Sequence, residues 1–535
     1  MSRINRRQFI QLVSVASAAY LTGCASTPRK KISISDCELD SRPSLRIDMH
    51  CHIINVRDVN GPAFVNRRFL NTDETFWPLA LGTGILGWFG KSLTAIHAFQ
   101  INEEYNLFHK KYPELQGDAT EFCKYAKEKQ GGPFVHDYAN RITGFASNRI
   151  RNASLLMQLF PTIDIFTPSM VDLYEWFEAR PSESSKPTSP FKQAKLMRDL
   201  NLATNGRFLP LVAFNPERQF VERDMENRGE YLRPLSLVEK CLKDWGFIGV
   251  KVHPSSGFDP WDNISHGCPN TPLRGQKDLA PEKAEYYDES MKRLYEICIK
   301  YDAPILTHSG QVLDANKECM HRSKEIDRTH APRHWAKVAK SNKDLRICLA
   351  HLAGGFDVDN ERNMFLEAEE FDDVENGYKI LEETAWLKDA IRLMQEHPNL
   401  YMDISHTDEI ASVKGYTSHN IEFFRDFIVR NKNILFDKLM YGSDWHMPLI
   451  AAIGSNYLKR IESALPKEIE FRDNIMGLNA QSFFKLIPGT KCWQRLEKFY
   501  RENKLEPQKD IPWMEKVKAT LNPDNVILRK SRTSF

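Results

Sequence analysis

The sequence predicts an α/β protein, a TIM-like (β/α)8 barrel carrying long insertions, and three observations predict it. From Leu159 onward, short apolar runs alternate with stretches of helical spacing, the pattern of strands joined by crossover helices in a parallel sheet. About eight such units follow one another, the number that closes a barrel. Several runs also end on a polar residue: Lys251 or His253, His308, His351, Ser405 and Asp444. Parallel barrels gather chemical groups at that rim, because the strand ends converge there and the loops vary freely.

The first strand is read in Arg46 to Ile53. Side chains alternate along a strand, so Asp48, His50 and His52 share one face, with Ile47, Met49 and Cys51 on the other. Two imidazoles on a rigid strand supply half of a three- or four-ligand metal site. The competing reading, two surface histidines on an edge strand, fits the apolar setting poorly.

Residues 55–149 lack a strand-helix rhythm and read as an insertion. Its stretch 76–89, with Trp77 and Trp88, is either a lid or hydrophobic wall over the site or a helical segment packed on the core. Beyond it, strands are expected at 208–214, 249–254, 304–308, 346–351, 400–405 and 439–444. Helices are expected at 192–203, 235–244, 285–301, 334–342, 384–396 and 422–429. After residue 487 comes a helical stretch at 493–502 and a charged, proline-containing run with no visible chemistry.

With 41% apolar and 27% charged residues and a formal net charge of +2, the composition excludes a disordered chain. It offers no electrostatic case for a nucleic-acid partner. The amino terminus is set apart. Arg3, Arg6 and Arg7 precede a short apolar run from Phe9 to Leu21, a secretory signal too short to span a bilayer. Arg6-Arg7 resembles a twin-arginine export signal, and Leu21-Thr22-Gly23-Cys24 resembles a lipoprotein lipobox, with Cys24 acylated. Such export carries folded cargo, which suits a protein that loads a metal first. The expected layout is a signal at 1–24, a polar tether at 25–44, the barrel at 45–490 and a helical tail at 491–535, on the periplasmic side of a membrane. Nine further cysteines are scattered without a metal-knuckle spacing, so mostly buried thiols are expected.

The motifs Ile47-Asp48-Met49-His50-Cys51-His52, Gly249-Val250-Lys251-Val252-His253-Pro254, Thr307-His308-Ser309-Gly310, Ala350-His351-Leu352-Ala353-Gly354-Gly355 and Tyr441-Gly442-Ser443-Asp444-Trp445 occur in this order, followed by a matching segment at 474–480. Together they resemble the amidohydrolase superfamily, in particular the branch that includes aminocarboxymuconate-semialdehyde decarboxylase and related hydrolases. The resemblance implies a metal held by His50, His52, His308 and Asp444, with His351 as a catalytic histidine or a ligand to a second ion. It leaves two roles for Lys251: a carboxylated bridge between two ions, or an ordinary lysine in a salt bridge near the rim, the preferred reading.

The implied cofactor is one divalent ion, zinc ahead of manganese, iron or cobalt, with two ions as the alternative. A metal-activated water, deprotonated by Asp444 and oriented by His351, would then attack the carbonyl of a small-molecule amide, ester or lactone. Two other readings stand beside this one. The same site would serve non-oxidative decarboxylation of an unsaturated or aromatic acid if a cation such as Arg322 or Arg328 met the carboxylate. A lipid-anchored binding protein without turnover is the third. Trp445 and His446 are read as pocket-lining or packing residues, and the oligomeric state is not legible.

Overall fold

The structure, a computed structural model, describes residues 42–55, 57–58, 101–111, 119, 122, 148–173, 188–266, 281–310, 329–358, 381–411, 418–445 and 456–521. The export signal with Cys24, most of the tether, Trp77, Trp88, Arg322, Arg328 and His446 lie outside the described residues.

Eight short runs form the barrel strands: β1 (Ile47–Cys51), β2 (Ile165–Pro168), β3 (Leu211–Phe214), β4 (Gly249–Val252), β5 (Ile305–Thr307), β6 (Ile347–Leu349), β7 (Leu400–Asp403) and β8 (Leu439–Met440). Strands β3 to β8 pair in parallel in sequence order, and β1 pairs in parallel with β2. Parallel bridges Phe166–Phe208 and Ser169–Leu211 join β2 to β3. The ring then closes. Met49 N donates to Tyr441 O at 3.0 Å and Asp444 N donates to His50 O at 2.7 Å, tying β1 to the chain that follows β8.

These strands are buried almost throughout, as expected of a parallel sheet covered by helices. In β4, Val250 and Val252 join the cluster shared with helix residues Leu237, Val238 and Leu294. Lys251, between them, faces the other way and meets His50. The same alternation puts Ile347 and Leu349 of β6 with the helices and Cys348 in a second cluster.

The helices follow local signals. Pro190–Ala203 and Pro234–Asp244 open on proline, whose fixed φ suits the first helical position. Ala385–Glu396 is capped by the Thr384 hydroxyl, which accepts from Leu387 N at 3.1 Å. The helix expected at 285–301 runs from Pro281 to Lys300 instead, its start set by that proline. The strands are shorter than expected at their carboxyl ends. His253, His308, His351, Ser405 and Asp444 all lie beyond the strand ends, and His351 and Asp444 turn off with φ of 61° and 43°. An antiparallel pair, Phe356–Val358 with Leu381–Glu383, lies between β6 and β7 and was not expected.

The tail has a structural task. In helix Lys491–Glu502 the buried residues Cys492, Trp493, Leu496, Phe499 and Tyr500 make one apolar stripe. With Trp513 of helix Pro512–Leu521 they cluster with Leu45, Leu209 and Ile248, which precede β1, β3 and β4. Arg495 donates to Phe247 O at 2.9 Å, and Lys516 to Asp164 at 2.9 Å. The tail therefore floors the barrel at the end opposite the polar rim.

Close to that rim, the insertion is pinned by a buried ion cluster. Arg149, on helix Arg149–Leu159, donates to both carboxylate oxygens of Asp58 at 2.8 Å, to Glu104 at 2.6 Å and to Asn55 at 2.8 Å. Asp58 and Asn55 lie just after β1, and Glu104 belongs to helix Ile101–Lys111. One guanidinium therefore fastens two inserted helices to the segment that follows His52.

Candidate metal centre

His50 in β1 and His52 just after it are each fixed through Nδ1. In His52, Nδ1 lies 2.8 Å from Ser169 O, a carbonyl that can only accept, so Nδ1 carries the proton and Nε2 is left with its lone pair. In His50, Nδ1 lies 3.1 Å from Asp403 Oδ2 and 2.9 Å from Ser405 Oγ. Histidines that ligate metals are held in this way, by a carboxylate or carbonyl on the other ring nitrogen.

Asp444 reaches them from beyond β8. Its Oδ1 stands 3.4 Å from His52 Nε2, and one ligand atom each from His50, His52 and Asp444 lies within 4.8 Å of the others. Two imidazole nitrogens and a carboxylate oxygen suit a divalent transition ion such as zinc or manganese. Burial pushes His50 well below its ordinary pKa, with Lys251 adding to the effect, and burial lowers His52 despite Asp444. Both rings are thus neutral near pH 7, as ligation requires.

The other residues expected at the site divide. Lys251 is buried with Nζ 3.0 Å from His50 Nε2, and burial brings its amine down to about 8, so among the described residues it meets a ligand ring and not a salt-bridge partner near the rim. His308 is not grouped with the opening pair among the described residues. Its Nδ1 lies 3.0 Å from His351 Nε2. His351 in turn sets Nδ1 2.9 Å from Ser405 Oγ, and burial with His308 alongside holds it well below its ordinary pKa. Trp445 is a packing residue, 1% exposed, with its indole N–H donated to the His52 carbonyl.

Two residues escaped the sequence reading. Asp403, inside β7, accepts from His351 N at 3.0 Å and Ser405 N at 2.9 Å as well as meeting His50. Its signal was a carboxylate in an otherwise apolar strand, two positions before a polar rim residue. His406 follows Ser405 and forms a group with His351 and Asp444. Asp48, read on the same face as the histidines, instead clips β1 to Ser443, accepting from its hydroxyl at 2.6 Å and its N–H at 2.9 Å. Burial pushes that carboxyl up to about 7.

The packing gives two expected results. Asp403→Asn keeps the shape but removes the charge that orients His50, so metal affinity should fall about 10- to 100-fold in competition with a chromophoric chelator. At Gly442 a Cβ would stand 2.7 Å from His50 Cβ and 3.1 Å from Ser405 Cβ. Gly442→Ala should therefore displace the His50 ring, lower metal affinity and cost about 1–3 kcal/mol in a denaturation experiment.

A family profile described as Amidohydrolase matches residues 185–486, just over half of the chain. No curated protein matches the sequence. Among solved structures, 5-carboxyvanillate decarboxylase from Novosphingobium aromaticivorans, complexed with manganese and 4-hydroxy-3-methoxy-5-nitrobenzoic acid, is similar over 84% of this chain and 99% of that one, with 12% identity and a TM-score of 0.41. 2,6-Dihydroxybenzoate decarboxylase from Rhizobium covers 62% of this chain and 87% of its own at 15% identity and a TM-score of 0.36. An amidohydrolase from Burkholderia multivorans with bound zinc covers 65% and 94%, at 15% identity and a TM-score of 0.36.

Proposed function

Because the chain belongs to the amidohydrolase family, we propose that it is a divalent-metal-dependent hydrolase acting on a carbonyl of a small-molecule amide, ester or lactone. The observation that carries this reading is the convergence of His50, His52 and Asp444, with each imidazole held through Nδ1, His52 by Ser169 O and His50 by Asp403. These three residues would hold the ion, zinc first. A divalent ion bound there supplies Lewis acidity, lowering the pKa of water and polarising an oxygen of the substrate.

The chain's own residues do the rest. Asp444, its Oδ1 3.4 Å from His52 Nε2, takes the proton from the attacking water. His351, seated between Ser405 and His308, orients the water or donates to the carbonyl oxygen as charge develops there.

A second reading, decarboxylation of an unsaturated or aromatic acid, is favoured by one specific feature. Lys251 is a buried amine whose Nζ stands 3.0 Å from His50 Nε2 and would meet a substrate carboxylate. On this account the protein belongs with the aminocarboxymuconate-semialdehyde decarboxylase-like branch. The test is a panel of p-nitrophenyl esters, lactones and anilides beside aromatic carboxylic acids, run in ¹⁸O-water with and without chelator. Hydrolysis with label incorporation, abolished by chelator and restored by added ion, is expected. Carbon dioxide release without hydrolysis selects the decarboxylase, and no turnover of either kind selects the binding protein.

The export reading is proposed with it. Arg6-Arg7 and Leu21-Thr22-Gly23-Cys24 support a periplasmic protein anchored through acylated Cys24. Cys24→Ala should move the protein from the membrane fraction to the soluble one, while continued membrane association would sink the anchor.

A further inference from the structure

The charge that the whole chain nearly cancels is unevenly spread. Residues 485–521 hold nine Lys and Arg against five Asp and Glu, a net of +4, so the rest of a chain whose total is +2 carries −2. Three basic residues of that remainder, Arg3, Arg6 and Arg7, lie in the segment that export would remove, which takes the exported body to −5. The positive share belongs to the floor of the barrel. Helix Lys491–Glu502 packs its buried stripe against the barrel, so Lys491, Lys498 and Arg501, spaced i, i+7 and i+10, stand exposed together on its outer side. Exposed Lys504 and Lys509 follow, in the link to helix Pro512–Leu521.

Acidic neighbours do not cancel this face. Glu502 meets Lys498 at 3.6 Å and Glu497 meets Arg501 at 3.9 Å, long pairs whose basic partner is more than half exposed. Pairs of that kind are worth little and open readily. Glu506 and Glu515 are exposed as well, and the net of +4 already counts them. The chain also enters here. Leu45, the first residue past the tether, lies in the same apolar cluster as Leu496 and Phe499. The 20 residues of the tether, 25–44, reach at most about 70 Å when fully extended. An anchor at Cys24 therefore keeps the floor near its bilayer, with the polar rim at the barrel's other end.

We propose that this basic floor is a membrane-docking face that recognises the anionic phospholipid headgroups of the bilayer holding Cys24. The inference rests on the export and anchor reading, and the partner follows from charge complementarity at the end of the barrel where the tether arrives. An anionic leaflet favours each nearby Lys or Arg by about fivefold in affinity, within about a Debye length of the surface. The same leaflet repels the negative body. Docking therefore sets an orientation as well as a contact: floor against the headgroups, rim turned away. The site at His50 and His52 then opens to solutes of the aqueous phase and not to the lipid itself.

The experiment is sedimentation of the full chain carrying Cys24→Ala, so that no acyl chain contributes, with vesicles of phosphatidylcholine alone or in equal mixture with phosphatidylglycerol. The mixed vesicles should bind it at least about 30-fold more tightly, and high salt should remove the preference. Adding Lys491→Glu, Lys498→Glu, Arg501→Glu and Lys504→Glu together should cost at least about 30-fold on the mixed vesicles and nothing on phosphatidylcholine. A control with the same charge change on barrel helices, Lys292→Glu, Arg293→Glu, Lys340→Glu and Lys388→Glu, should stay within about threefold of the parent. All three proteins share one amino terminus, so its arginines cancel in the comparison, and a native circular dichroism spectrum guards against a folding defect. The proposal is overturned if the parent shows no preference for the mixed vesicles, if the floor variant binds them as the parent does, or if the control loses as much as the floor variant. Acylatable wild type found outside the membrane fraction would overturn the anchor, a result distinct from these.

Discussion

His50→Ala should lower kcat/KM for the best substrate of the panel by about 10³-fold or more. Lewis-acid stabilisation is worth several kcal/mol, and about 1.4 kcal/mol corresponds to each factor of ten. The loss should exceed that of any supporting residue, because His50 is both a donor and the ring on which Asp403, Ser405 and Lys251 converge. Its side chain is wholly buried, so removal also leaves a cavity beside Lys251. Excess zinc or manganese should not restore activity to the variant, whereas it should restore chelated wild type. An unchanged kcat/KM would remove His50 from the chemistry.

Arg149→Ala should destabilise the protein by about 3–5 kcal/mol, the cost of leaving buried carboxylates without their partner. Both Asp58 and Glu104 would be stranded, at 1% and 0% side-chain exposure. Chemical denaturation of wild type and variant side by side measures the effect, and a loss below about 1 kcal/mol would contradict it. The cluster also makes a pH-dependent contribution. Burial, opposed by Arg149, pushes the Glu104 carboxyl up from its ordinary 4.5 to about 7. The folded protein therefore binds an extra proton between those values, and stability falls as pH rises from about 4.5 to about 7. Glu104→Gln should flatten that part of the profile.

The barrel was legible because its signal is repetitive. Each strand is a short apolar run between helical stretches, and the pairing order of β3 to β8 follows sequence order. Strand ends were less legible, since a residue such as His351 or Asp444 reads as strand-like until its backbone turns left-handed. At the site, the His50/His52 pair was visible from two-residue periodicity alone. Asp403 was not, because a carboxylate inside an apolar strand declares a partner without saying which one. His406 lies one residue past the expected strand, where periodicity has ended and only the loop conformation brings it to Asp444. The Arg149 cluster joins residues up to 94 positions apart, a pairing that no local pattern encodes.

The most direct test is elemental analysis of the full chain purified without added metal, beside His50→Ala, His52→Ala and Asp444→Ala. The account predicts at least one divalent ion per wild-type chain and a substoichiometric content in all three variants. Wild type that carries no ion and takes up none on dialysis against zinc or manganese would contradict it.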